Sequence, residues 1–331
     1  MDTSIKFRTI LEPKPLERQL VYSDSITAIG SCFAESIGAK LQRYGFDINI
    51  NPFGILYNPI SITRCLNRLL DNQFVMEEEL VQGKEGIYHH WLFHGRFSHS
   101  DKKEALRQMN SSLQEGRAHL LKSKVLMVTL GTSYVWVHKD HAEAVANCHK
   151  FPASEFTHTM INSNEFSDGW HDLLIRLEKE AQLESVIFSV SPVRYLQQGF
   201  VNNSLSKARL LMLADKMVKS HRGCAYFPAY ELLLDDLRDY RFFADDMLHP
   251  SEAAIDYIWD AFTRSGISKE SRKLMEEVEQ IIQASEHRPR FPENPGHMEF
   301  CHKQVQKAEK LMQEHPGLNL EVYIDRFRNY L

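Results

Sequence analysis

The chain lacks any apolar run of about 18 residues, so no segment reads as a helix able to cross a bilayer. Met1 to Pro15 is mixed and charged, without the basic head and apolar stretch of a secretory signal, and export is not expected. No dense Lys/Arg stripe appears and the formal net charge is −5. Nucleic acid is therefore not an expected partner, since neutralising phosphates needs a basic face. Cysteine is sparse. Cys32, Cys65, Cys148, Cys224 and Cys301 are odd in number, widely spaced and form no CxxC, which reads as reduced thiols in the cytoplasm rather than a disulfide framework. With no HExxH and no paired CxxC, no cofactor is called for.

What is present is an ordinary globular composition, 43% hydrophobic and 25% charged over 331 residues. That length suits one α/β core of roughly 250 residues with an appendage. Ser25 to Ile29 reads as a short strand ending at Gly30. Apolar spacing through Ile37 and Leu41 then predicts a helix from Phe33 to Tyr44, stopped by Gly45. A second strand (Phe46 to Ile50), a turn-rich loop at Asn51-Pro52-Phe53-Gly54 and a helix near Ile60 to Leu70 follow. Residues 73 to 100 suggest a hairpin or insertion. Asp101 then caps a long helix, with Glu104 placed as its capping-box partner. Val125 to Leu130 and Val186 to Val190 have the unbroken apolar character of buried parallel strands. The stretch from Gly131 to Met160 shows no period and reads as a functional loop or lid. Helices at 166 to 180, 205 to 220 and 251 to 263 alternate with the strands, the last capped by Ser251. This predicts a three-layer α/β/α fold with a central parallel sheet over residues 1 to 266. Beyond Gly266 strands disappear, and 267 to 331 reads as a C-terminal helical extension packing on the core or on a second copy, a route to a homo-oligomer.

Two short motifs carry candidate chemistry. Gly30-Ser31-Cys32 places a hydroxyl where a strand ends and a helix begins, beside amides able to hold developing negative charge. A plain helix cap is the commoner use of such a serine. Asp246-Met247-Leu248-His249 places a carboxylate and an imidazole on one short loop, as a general base and its orienting partner require. Asp245 is a possible substitute partner, and a charged surface loop is the bland alternative.

In chain order the two motifs resemble the SGNH hydrolase superfamily. The strings GSCFA at 30 to 34 and NPFGILYNP at 51 to 59 resemble the GSCFA family within it, over roughly residues 25 to 265. The resemblance implies a flavodoxin-like SGNH fold in which Ser31 is the nucleophile, His249 the base and Asp246 its orienting carboxylate. The amides of Ser31 and Gly54 would line the oxyanion hole. The superfamily's third block ends Gly-x-Asn, where this chain has Gly131-Thr132-Ser133. Thr132, Ser133 or Asn147 would have to take the missing donor's place.

Cys32 is a rival nucleophile, although adjacent side chains diverge in a tight turn and buried thiols are commonly inert. Histidines gather at 89, 90, 94 and 99 and again at 138, 141 and 149. Their spacings match no metal motif, and none is assigned as a metal site. Arg96, Arg194, His149 and Asn51 are candidate substrate-binding residues, and Trp91 and Trp136 suit either stacking on a ligand or core packing. The function expected is hydrolysis of an acyl ester, or O-acyl transfer, on a small-molecule or carbohydrate substrate through a Ser31 acyl-enzyme. The alternatives are a non-catalytic carbohydrate- or ligand-binding module and a metal-assisted phosphoesterase.

Overall fold

The computed structural model describes residues 8–331. Five parallel strands form the central sheet: β1 (Ser25–Gly30), β2 (Asp47–Ile50), β3 (Val125–Leu130), β4 (Ser185–Val190) and β5 (Cys224–Tyr226). Their spatial order is β5-β4-β3-β1-β2, the 2-1-3-4-5 order of flavodoxin-like sheets. In that order the chain reverses direction between β1 and β3, and the crevice outside their carboxyl ends is where open α/β sheets bind ligands. Ser31 directly follows β1, so the first βα turn opens into this crevice.

Strand side chains alternate between faces, and two hydrophobic clusters result. One face carries Ile26, Val125 and Ile187, covered by α1 (Cys32–Arg43) through Phe33, Ile37 and Leu41. The other carries Ile29, Val128 and Phe188, covered by α2 (Pro59–Leu70), α3 (Lys102–Lys122), α4 (Ser163–Glu180) and α5 (Gly199–Ser220). Each fully buried large apolar side chain contributes about 1.5–3 kcal/mol by leaving water. On the α1 face, α6 (Glu252–Gly266), α7 (Lys269–Glu286), α8 (Pro295–Glu314) and α9 (Glu321–Arg328) complete the layer. Their inward residues, among them Ile258, Ile281, Val305 and Phe327, join the same cluster as α1. The extension thus buries its apolar stripe against its own chain.

Local signals set most boundaries. Asn58 Oδ1 accepts from Ser61 N at 2.8 Å and Pro59 opens α2. Asp101 caps α3 through Glu104 N, but the Glu104 carboxylate turns outward to Arg107 and Gln108, so only half of the predicted capping box forms. Residues 81–89 do form a short antiparallel hairpin.

The stretch after β3 departs from expectation. Instead of an aperiodic loop it is an antiparallel sheet, with Tyr134–His138 flanked by Glu143–Val145 and Phe156–Met160. The turn between its first two strands uses Ala142 at φ +51° in place of glycine, so the usual punctuation is absent from the sequence. Among the described residues no helix is long and apolar enough to cross a membrane.

Candidate active site

Gly30 makes the first turn possible. Its φ is +140°, and a Cβ there would collide with the Thr129 carbonyl of β3. Ser31 follows in extended geometry as the N-cap residue of α1, yet its hydroxyl makes no capping bond. The residue is 1% exposed and Oγ has no hydrogen-bond partner at all. Serines at helix starts ordinarily spend their hydroxyl on the first-turn amides. The one here is desolvated, unspent and at the switch point of the sheet.

Asn51 lies beneath the same turn. It is fully buried with φ +48°, and its Oδ1 accepts from Gly30 N at 2.8 Å. Because only the amide oxygen can accept from an N–H, Nδ2 must face the other way, and it too is buried without a partner. The site therefore holds an unspent donor on the residue bonded to Gly30 and an unspent hydroxyl on the residue that follows Gly30. Arg96 braces this loop, donating to the Asn51 carbonyl at 2.7 Å and to Glu35 at 3.1 Å.

The amides that the resemblance assigned to the oxyanion hole are already occupied. Ser31 N donates to Thr129 O at 3.1 Å, and Gly54 N donates to Asn51 O at 2.7 Å. Gly54, at φ +78°, packs where a Cβ would overlap His94. Thr132 and Ser133 turn toward α5: the Thr132 hydroxyl, the Ser133 hydroxyl and the Ser133 amide all bond Ser206 Oγ, at 3.1, 3.1 and 2.8 Å. Asn147 lies farther out, where its Oδ1 accepts from His149 N.

The Asp246–His249 pair is formed. Asp246 Oδ2 meets His249 Nδ1 at 2.6 Å, and Oδ1 accepts the Leu248 and His249 amides at 2.9 Å each. These backbone donors, with the imidazole, hold the carboxyl down at about 2. Asp246, not Asp245, is thus the partner. The loop closes through Met247 at φ +59° and is tied to the β4 side by Arg194 N, which donates to Leu248 O at 3.1 Å. The Arg194 guanidinium stacks on Phe243 and Tyr240. The pair is about half exposed and stands beyond hydrogen-bond reach of the partnerless Ser31 Oγ. Nucleophile–base bonds of this kind are often long before substrate binds and tighten in the reacting complex.

Cys32 presents a thiol raised above its ordinary value, chiefly by burial, although the Cys32 and Phe33 amides and Lys207 pull the other way. That environment does not activate it.

Two adjoining cavities open beyond Tyr57, whose carbonyl accepts the Gly131 and Thr132 amides. One, of about 320 Å3, is lined by Tyr57, Tyr134, Trp136, Phe151, Phe156 and Tyr195 and carries no charged side chain. The other, of about 400 Å3, is lined by His89, His94 and His149. His149 stacks on His89 at 4.4 Å, its Nε2 donates to His90 O at 2.9 Å, and burial lowers it to about 4. Among the described residues no three His, Cys, Asp or Glu side chains converge as metal ligands.

The structure therefore brings Ser31, Asn51 and Arg96 together, pairs Asp246 with His249 beside Arg194, and leaves Asn147 and His149 on an outer rim. Sequence reasoning missed Lys207 and Ser206, which α5 turns inward beneath Gly131–Ser133. Their signal was Asn203, Ser206 and Lys207 on one side of the helix's first turns with Val201 and Leu205 on the other. A family model described as the GSCFA family matches residues 25–262, and one described as the GSCFA domain protein, C-terminal domain, matches residues 278–331. No curated protein matches the chain.

Proposed function

The chain belongs to the GSCFA family, and from that premise and the geometry of the first βα turn we propose that it is an SGNH-type serine enzyme of acyl-ester chemistry. Ser31 Oγ attacks the ester carbonyl while His249 Nε2 takes its proton, Asp246 fixing the imidazole through Nδ1. The alcohol leaves with a proton returned by His249. The Ser31 acyl ester is then resolved by water, or by the hydroxyl of a small-molecule or carbohydrate acceptor. Asn51 Nδ2 supplies the oxyanion donor that Gly-x-Asn supplies in the superfamily pattern.

The observation that carries this reading is the Ser31 hydroxyl, buried and without a partner at the switch point, with the Asn51 amide donor in the same condition on the loop bonded to Gly30. Buried polar groups are nearly always bonded, and a catalytic role is one physical reason for an exception. One observation favours a second reading, a non-catalytic binding module: the Ser31 and Gly54 amides and the Thr132 and Ser133 hydroxyls are all occupied.

A fluorophosphonate probe separates the two. On the enzyme reading it labels one residue, mapped by mass spectrometry to Ser31, and labelling is lost in Ser31→Ala and His249→Ala but kept in Cys32→Ala. A folded wild type that resists the probe supports the binding module.

A further inference from the structure

The first turns of α5 are inside out. Val201, Leu205 and Met212 are 75%, 51% and 65% exposed, while Asn203, Ser206 and Lys207 are buried. Residues three and four apart share a helix face, so the inward stripe is polar over these first turns, before it becomes apolar at Leu210, Leu213 and Met217. Each has a task at the carboxyl edge of the sheet. Asn203 Oδ1 accepts from Tyr195 N, Ser206 gathers Thr132 and Ser133, and Lys207 Nζ donates to Gly131 O and Ser191 O at 2.7 Å each.

Lys207 is the costly member. A buried ammonium is ordinarily paired with a carboxylate, and burial without one is strongly unfavourable. Among the described residues none pairs with it; it has two backbone carbonyls and the Tyr230 ring at 5.9 Å. Gly131 and Ser191 directly follow β3 and β4, just as Ser31 follows β1. Adjacent strands lie about 4.8 Å apart, so Nζ is within roughly two strand spacings of the Ser31 turn. The Lys207 ammonium favours the thiolate form of Cys32, the residue after Ser31, against the larger opposing effect of burial.

Resting on the Ser31 acyl-transfer reading, we propose that Lys207 is a fixed positive charge held beside the Ser31–Cys32 turn, which stabilises the negative charge developing there as the acyl-enzyme forms. Two of its N–H groups are spent on carbonyls, which locks the nitrogen in place. Its charge acts across a water-poor interior, where screening is weak. It touches no substrate and is a positioning residue, working through the turn. Burial lowers its proton affinity to about 7, so this charge is lost on the alkaline side of neutrality.

The test compares Lys207→Met and Lys207→Gln with wild type in fluorophosphonate labelling rate against pH, with circular dichroism to verify folding. Glutamine removes the charge while keeping N–H donors on a side chain one atom shorter. The wild-type rate should fall on the alkaline side of neutrality as Lys207 loses its proton. Both variants should label about tenfold more slowly or worse below neutrality and lose the alkaline fall. Variants that keep both rate and profile would make Lys207 a staple between β3 and β4 and overturn the proposal. So would labelling that needs Lys207 but survives His249→Ala, because Lys207 would then be the base. Should wild type fail to label, the acyl-transfer reading fails by itself. Iodoacetamide alkylation of Cys32 still reads the charge: its midpoint should move to higher pH in both variants, and an unchanged midpoint contradicts the assignment.

Discussion

Asn51→Ala separates scaffolding from chemistry at the candidate oxyanion donor. Removing the side chain strips the buried Gly30 N–H of its acceptor, at 2.8 Å in the native turn. An orphaned buried donor costs about 1–3 kcal/mol. The backbone at 51 has φ +48°, which asparagine tolerates and alanine resists by about 1 kcal/mol. Urea unfolding followed by tryptophan fluorescence should therefore show a loss of about 2–4 kcal/mol, which a domain of ordinary stability survives. Loss of Nδ2 should slow fluorophosphonate labelling of the folded protein by about 10²–10³, the usual effect of deleting one oxyanion donor. Asn51→Asp keeps an acceptor for Gly30 but discards the donor, so it should recover part of the stability and none of the rate. An alanine variant that is destabilised yet labels at the wild-type rate would refute the oxyanion role and leave Asn51 as a brace for the turn.

Four further outcomes follow. Asp246→Asn should lower the labelling rate at least about 100-fold, because the imidazole loses the partner fixing its tautomer, while the melting temperature of this exposed pair stays put. Gly54→Ala should cost about 3 kcal/mol in urea melts, combining a left-handed φ of +78° with overlap on His94. His149 binds its proton less readily folded than unfolded, at about 4 against 6.5, so stability is full above the unfolded value and falls as pH drops from 6.5 toward 4. The full shift is worth at most about 3 kcal/mol, and His149→Gln should flatten acid melts across that window. Removing residues 278–331 takes away the second half of α7 with α8 and α9 and uncovers the α1 side of the cluster, and near-ultraviolet circular dichroism should show loss of fixed packing.

The strand–helix alternation was legible because parallel strands buried on both faces read as apolar runs, as at Val125–Leu130, and because Asp101 and Ser251 announce their helices. The outer antiparallel sheet was not: Tyr134-Val135-Trp136-Val137-His138 has aromatic and β-branched strand character, but the turn that follows carries no glycine to mark a hairpin. At the site, the positions of Ser31 and of Asp246–His249 were readable from local motifs. Which donors remain free was not, because it depends on contacts such as Asn51 with Gly30 and Ser206 with Ser133, made between residues far apart in sequence. Lys207 was hidden for a related reason. A lysine in an amphipathic helix normally faces water, and only the sheet edge above it explains why this one does not.

The most direct test of the account is capture of the covalent intermediate. The protein is mixed with p-nitrophenyl acetate, quenched in acid within milliseconds, digested and analysed by mass spectrometry. The account predicts a single acetyl group on Ser31, formed with a burst of p-nitrophenol and absent from His249→Ala; acetyl on Cys32 or Lys207 alone, or no acetylated peptide from folded protein, would contradict it.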